Sequence, residues 1–377
     1  MEAKGVDGMA SRRRQKYKVF HARASSRCKK NEISRLKGED GVFVKKKEDI
    51  QNIITAYFSN LFKSTKPHKE SIEEVLRHVQ PKVTTLMNQT LMQPFIAEEV
   101  TRALKQMGPV KSPGPNGMSA FFFQNYWHIV GKFVTTCVLD FLNNGVLLPR
   151  LNYTHIVLIP KCDKPETIPQ FRPISLCNVI YKLASKTLAN RLKPFLHNIV
   201  SESQSAFVSN RLVTDNILVS FEVNHYLKNK RGGKECFAAL KLDMSKAYDR
   251  VEWSFLKAML DKLGFDKRFV SLVFQCISTV SFSFVLKGEQ FGRIIPKRGL
   301  RQGDPLSPYL FILCAEALSR LIHAKENRGL IKGVKISGKA PRVSHLIFAD
   351  NTIIYCQATK ESLSCIKEVL WLYEAAS

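Results

Sequence analysis

Acidic residues are scarce in this chain. Its 377 residues hold 32 Asp and Glu against 58 Lys and Arg, a net charge of +26, and so strong a positive field selects a polyanion as partner. Phosphate backbones fit best, because neutralising them releases condensed counterions and gives salt-sensitive, sequence-independent binding. An acidic membrane would require an anchor, and no run of about 20 residues is free of polar breaks. Even Ala120 to Leu142 carries Gln124, Asn125, His128, Lys132 and Asp140. Met1 to Arg14 has charges without an apolar segment behind them, so no export signal is read and an intracellular chain without membrane contact is expected. None of the nine cysteines, scattered from Cys28 to Cys365, forms a C-x-x-C pair, which argues against a disulfide framework or a zinc ribbon. After residue 50 there is no internal repeat, no Gly/Ser-rich or Pro-rich linker and no low-complexity tract.

What is present is ample core material: 45% hydrophobic residues, with 24 Phe and three Trp, which excludes global disorder. Residues 1–47 hold fifteen Lys or Arg and five acids, a basic arm that either contacts nucleic acid or is simply a solvated terminus. Ile50, Ile53, Ile54, Tyr57, Phe58, Leu61 and Phe62 fall on one helix face, and a second helix is expected from Ala97 to Met107. Lys111-Ser-Pro-Gly-Pro-Asn-Gly117 reads as a turn-rich loop before a helical stretch from Phe121 towards Leu142. The run His155-Ile-Val-Leu-Ile159 reads as a strand, with helical text between Tyr181 and His197.

Chemistry enters with Cys236-Phe-Ala-Ala-Leu-Lys-Leu-Asp243, a buried strand that delivers a carboxylate at its end. A helix with Leu256, Met259, Leu260 and Leu263 on one face follows, stopped by Gly264. About a hundred residues on, Val343–Phe348 and Thr352–Tyr355 read as a hairpin whose tip, Ala349-Asp350-Asn351, is acidic. Two such carboxylates suit phosphoryl transfer, which needs anionic ligands for a pair of divalent metals about 3.5 to 4 Å apart. Taken singly, Asp243 reads equally as a cap and Asp350-Asn351 as ordinary turn residues. Between them lies Arg298-Gly-Leu-Arg-Gln-Gly-Asp-Pro-Leu-Ser-Pro308, a glycine-bearing loop with Pro308 placed to open a helix reaching about Asn327.

Lys241-Leu-Asp-Met-Ser-Lys-Ala-Tyr-Asp249, Arg301-Gln-Gly-Asp-Pro-Leu-Ser-Pro308 and Phe348-Ala-Asp-Asn351 resemble, in order and spacing, polymerase motifs A, B and C of LINE-type (non-LTR) retrotransposon reverse transcriptases. Leu158-Ile-Pro-Lys161, Phe171-Arg-Pro-Ile-Ser-Leu176, Leu188-Ala-Asn-Arg-Leu192, Gln204-Ser-Ala-Phe207 and Asp215-Asn216 resemble the fingers motifs of the same family, plant-type elements in particular. Phe20-His-Ala-Arg-Ala24 and Lys111–Gly117 look like the stretch preceding the polymerase, so the resemblance covers nearly the whole chain.

The resemblance implies an α+β, right-hand polymerase fold of fingers and palm on a split βαβ sheet. Residues 1–80 would be a basic arm and helix, 81–140 a helical extension of the fingers and 141–377 the reverse transcriptase domain, ending before the thumb. It implies that Asp243 and Asp350 bind two Mg²⁺ ions, hard cations that prefer oxygen ligands. Lys161 and Arg172 would meet the triphosphate. Tyr248 would sit under the incoming sugar, though it reads equally as a core aromatic, and Gln302 and Gly303 would lie near the nascent base pair. The implied partners are an RNA template, a DNA primer and deoxynucleoside triphosphates, with no obligate protein partner.

Departures are informative. Asn351 stands where active members carry a second Asp, Asn116 where Asp is usual and Asn210 where Gly is usual, a place that tolerates Asn because it accepts left-handed backbone. A helix with Leu363, Ile366, Leu370 and Tyr373 on one face is expected to close the chain. Two rival readings remain: a nucleic-acid-binding relic without catalysis, and a group II intron maturase or other polymerase sharing the palm.

Overall fold

A computed structural model describes residues 22, 25, 26, 29–38, 40–230, 232 and 235–377. Most of the basic arm's first 28 residues, with Phe20-His-Ala-Arg-Ala24 apart from Ala22, therefore lies outside the described residues. Helices and antiparallel-rich sheets alternate along the chain, which makes the fold α+β as the sequence implies.

The first long helix, Lys47–Leu61, starts with Glu48 and Asp49 in its first turn, where carboxylates complement the positive end of the helix dipole. It buries Ile50, Ile54, Phe58 and Leu61 and leaves Ile53 and Tyr57 half-exposed, so the apolar face is narrower than the seven-residue pattern suggests. Phe58 packs on Phe62 and on Phe284, with ring centroids 5.8 and 5.0 Å apart. A small ribbon of β1 (Leu36–Lys37) and β2 (Phe43–Val44) precedes this helix.

Phe284 belongs to a four-stranded sheet. β3 (Tyr153–Pro160) and β4 (Phe171–Cys177) form an antiparallel hairpin, β6 (Ser281–Leu286) lies parallel to β3, and β7 (Glu289–Ile294) closes the order β4-β3-β6-β7. Thr154, Ile156 and Leu158 of β3 point inward in strict alternation, the period-2 pattern of a sheet with one buried face. Lys287 and Gly288 join β6 to β7 with φ of 53° and 81°, the doubly positive backbone that two-residue hairpins favour.

A second sheet has the order β5-β9-β8: β5 (Phe237–Asp243), β9 (Asn351–Gln357) and β8 (His345–Phe348), all antiparallel. One expectation is corrected here. β5 is not a buried strand; its residues are alternately half-buried and exposed, because it occupies a sheet edge and pairs on one side only. Beneath lies the Ser307–Asn327 helix, opened by Pro308 and buried along most of its length. Against it pack the Trp253–Leu263 and Lys360–Ala376 helices. The former buries Leu256, Met259, Leu260 and Leu263 and ends at Gly264 with φ 92°, as its pattern predicts.

Three boundaries differ from the sequence expectation. The helical stretch from Phe121 breaks at Tyr126 into Ala120–Asn125 and Trp127–Asn144, the second expected helix stops at Lys105, and the helical text from Val179 ends at Leu192 before a 3₁₀ turn and a short Leu196–Ile199 helix. The closing helix buries Cys365, Ile366, Val369 and Tyr373 and leaves Leu363 exposed, a face rotated from the expected one.

Phe58→Ala should lower stability by about 3 to 5 kcal/mol, the usual cost of emptying a buried aromatic site. Phe133→Ala, at a side chain 77% exposed, should change it by less than about 0.5 kcal/mol. Thermal denaturation of the two variants checks the contrast.

Candidate active site

The β5–β9 register places Asp243 directly opposite Asn351. The β8–β9 register pairs Phe348 with Asn351, leaving Ala349 and Asp350 as a two-residue tip; Asn351 is therefore the first residue of β9 rather than part of the turn. Ala349 carries φ 54°, a left-handed backbone that costs a non-glycine residue free energy and persists where its surroundings enforce it. The enforcement is visible: Ala349 N–H donates to Gln204 Oε1 at 3.1 Å, and the same oxygen accepts from Ala206 N–H at 2.9 Å. On the other side, Met244 N–H donates to the Asp350 carbonyl at 3.3 Å. Asp243, Asp350 and Asn351 thus share one end of the sheet, and Asn351 Nδ2 donates to Asp350 Oδ1 at 3.4 Å. Beside Asp243 opens a cavity of about 570 Å³, bordered also by Arg250, Phe311 and Tyr373.

The loop 298–304 is laced onto the segment after Asp243. Gly299 N–H donates to Val251 O, Leu300 N–H to Tyr248 O, and Trp253 Nε1 to Gly299 O, at 2.8, 2.6 and 2.9 Å. Only glycine serves at 299: its φ is 94°, and a Cβ would lie 2.7 Å from the Asp249 carbonyl oxygen. Glu252, fully buried, accepts from Ser64, Thr65 and Arg298. Gln302 then reaches two ways. Its carbonyl accepts from Ser175 N–H of β4 at 2.9 Å, and its amide lies 3.4 Å from both Asp249 oxygens. Gly303, φ 108°, passes so near β4 that a Cβ would lie 3.2 Å from Ser175 O.

Under this loop sits a buried charge pair. Arg301 and Asp304 are 5% and 4% exposed and meet at 3.0 Å. Arg301 also donates to Asn152 Oδ1 and, at 2.8 Å, to the Cys276 carbonyl, with its guanidinium 4.0 Å above the Tyr181 ring. Tyr181 OH donates to Asp304 Oδ2. Every group is partnered, the condition under which a buried pair is tolerated.

Lys161 and Arg172 stand at the tip of the β3–β4 hairpin, Arg172 opposite Ile159, both exposed. Tyr248 is half-buried and stacks on Phe311 with centroids 4.7 Å apart; burial, then the neighbouring Asp350 charge, raise its pKa well above the usual phenol value. It is thus both a packed aromatic and a neighbour of the acidic tip. Sequence reasoning missed Asp249, which is 2% exposed and whose pKa burial pushes up to about 6 against the opposing pull of Lys246 and the Gln302 amide. It also missed Lys246, whose φ is 57°. Both stand in the quoted Lys241–Asp249 motif; burial and backbone angle are what pattern alone does not carry.

The acids thus stand at one end of an antiparallel sheet, and the glycine loop ties the segment after Asp243 to β4, the strand that carries Arg172. The family model described as "Reverse transcriptase (RNA-dependent DNA polymerase)" matches residues 159–375, more than half of the chain, and the chain belongs to that family. Its relatives place it in the non-LTR retrotransposon branch. It is 28% identical over 366 residues, 96% of its own length, to the "Transposon TX1 uncharacterized 149 kDa protein" of Xenopus laevis. It is 27% identical over 263 residues, 69% of its length, to the "Retrovirus-related Pol polyprotein from type-1 retrotransposable element R2" of Popillia japonica. With the "Probable RNA-directed DNA polymerase from transposon BS" of Drosophila melanogaster it shares 23% identity over 261 residues, 66% of its length. The chain spans 27%, 35% and 27% of those relatives' lengths. Among the described residues no helix is long and apolar enough to cross a membrane.

Two outcomes are expected. Arg301→Met, which strands Asp304 in the interior, should cost about 3 to 5 kcal/mol, measured by chemical denaturation. Asp249 has its folded pKa raised from 3.8 to about 6, so the stability it favours is fully present below pH about 4 and is lost as pH rises through about 6, a difference of about 3 kcal/mol. Denaturation midpoints across that window should fall less steeply for Asp249→Asn.

Proposed function

We propose that this domain is an RNA-directed DNA polymerase that extends a DNA primer on an RNA template with deoxynucleoside triphosphates, in a right-hand arrangement of fingers and palm. The observation that carries the reading is the convergence of Asp243 and Asp350 at one sheet end in a chain of this family. Residues 141–377 would form the fingers and palm, with 81–140 as a helical extension and 1–80 as a basic arm and helix ahead of it.

The family uses divalent metal ions, and the donor set fits them. Asp243 and Asp350 offer carboxylate oxygens and Asn351 an amide oxygen, all hard ligands suited to Mg²⁺. Two such ions, when bound, supply charge neutralisation at the attacking and leaving oxygens. Among the described residues no group of three or more His, Cys, Asp or Glu side chains is placed to hold a metal ion, and position 351 carries an amide. Lys161 and Arg172 meet the triphosphate from the fingers tip. Tyr248, fixed by Phe311, lies under the sugar, where an aromatic ring disfavours a 2′-hydroxyl. Gln302 and Gly303, tied to β4, bring backbone against the nascent base pair.

Replacing Asp by Asn at 351 deletes a formal charge. Two unit charges about 4 Å apart at an effective dielectric near 20 interact by about 4 kcal/mol, which is about a thousandfold in rate. Asn351→Asp is accordingly expected to raise primer extension about a thousandfold over the native chain, and Asp243→Ala to abolish it. Incorporation that persists in Asp243→Ala refutes the assigned chemistry. Asn351 also favours a second reading, a nucleic-acid-binding relic; salt-dependent RNA binding with no incorporation even by Asn351→Asp would select it.

A further inference from the structure

Lys246 has an unusual position. It lies three residues beyond Asp243, holds a left-handed backbone (φ 57°, ψ 37°) and starts the short Ala247–Arg250 helix. Strained non-glycine backbone of this kind concentrates where a ligand is clamped. Its Nζ is buried and has no hydrogen-bond partner among the described residues; the Tyr57 ring is 5.9 Å away. An ammonium has three donors and a large desolvation cost, so one left without an acceptor points to an anion that completes it.

The surroundings specify that anion. Burial lowers the Lys246 pKa, the Lys161 and Arg250 charges push the same way, and the Asp249 carboxylate opposes them. That carboxylate accepts from the Gln302 amide, and no ion pair within 4 Å joins it to Lys246 among the described pairs. Three cations around one carboxylate leave positive charge uncompensated. Lys246 follows the Asp243 carboxylate by three residues and feels the charge of the hairpin cation Lys161, the two groups that a triphosphate must span if its reacting phosphorus is to lie at the acids.

We infer that the Lys246 ammonium is a binding group for the triphosphate of the incoming nucleotide, acting with Lys161. The inference rests on the polymerase reading. Lys246 binds through charge, so it serves any deoxynucleotide and equally a bare polyphosphate; discrimination among bases and sugars lies elsewhere. The Tyr57 ring, 5.9 Å from that ammonium, brings the Lys47–Leu61 helix beside the group as well as against the sheet.

The test is equilibrium binding by the intact chain, with Mg²⁺ present, of deoxythymidine triphosphate, inorganic tripolyphosphate and deoxythymidine. Lys246→Met, which keeps the chain length and removes the charge, should weaken both polyphosphates about tenfold and leave deoxythymidine unchanged, whereas Lys246→Arg should recover most of the loss. Lys161→Ala should weaken the same two ligands, and Lys257→Met, an exposed substitution against Phe274, should weaken neither. Thermal melting of each variant separates a binding defect from unfolding, and if Lys246→Met melts early the Lys246→Arg titration decides. Normal polyphosphate binding by folded Lys246→Met together with a loss in Lys161→Ala overturns this inference and leaves the polymerase reading standing. Normal binding by both variants, or none by the native chain, overturns both.

Discussion

The site depends on one register. Asp243 faces Asn351 across β5 and β9, and side chains along a strand alternate between faces with period two, so a slip of a single residue would turn the Asp243 carboxylate away from the hairpin tip. Within β5 the apolar side, Ala238, Leu240 and Leu242, packs against the core, while Ala239, Lys241 and Asp243 face solvent at the sheet edge. The register is also held at the strand's end. Met244 bonds the Asp350 carbonyl, Gln204 grips the tip through Ala349, and the 298–302 loop bonds Tyr248 and Val251. Hydrogen bonds from three separate stretches of chain, one of them through the Gln204 side chain, thus hold the hairpin tip and the segment after Asp243.

The buried Arg301–Asp304 pair extends this logic to the four-stranded sheet. Through Asn152, Tyr181 and the Cys276 carbonyl it joins residues flanking β3 and β4 to the helix preceding β6, so the glycine loop cannot shift without disturbing the base of the cationic hairpin. Specificity of this kind comes at a cost in desolvation that an apolar cluster would avoid. Its return is geometric: Gln302 touches β4 with its backbone and Asp249 with its side chain.

Much of this was legible in the residues. Period-3.6 patterns located the Lys47–Leu61 and Trp253–Leu263 helices, Gly264 marked a helix end, and Pro308 marked the start of the long core helix, because each carries its own local signal. The three ordered motifs gave the family. What local text did not carry was context. The alternation in β5 looks like a buried run until its unpaired edge is known, and Tyr126 breaks a helix without Pro or Gly to announce it. Asp249 and Lys246 sit in plain view in motif A, yet their interest lies in burial and in a left-handed turn, which are properties of the assembled molecule.

Position 351 has a wider consequence. Its side chain is exposed, and swapping carboxylate for carboxamide there changes neither volume nor packing, so folding imposes no selection against it. The cationic surface is equally indifferent to that atom. A chain with the carboxamide therefore keeps the same fold and nearly the same surface, and only the negative charge at the sheet end registers the exchange.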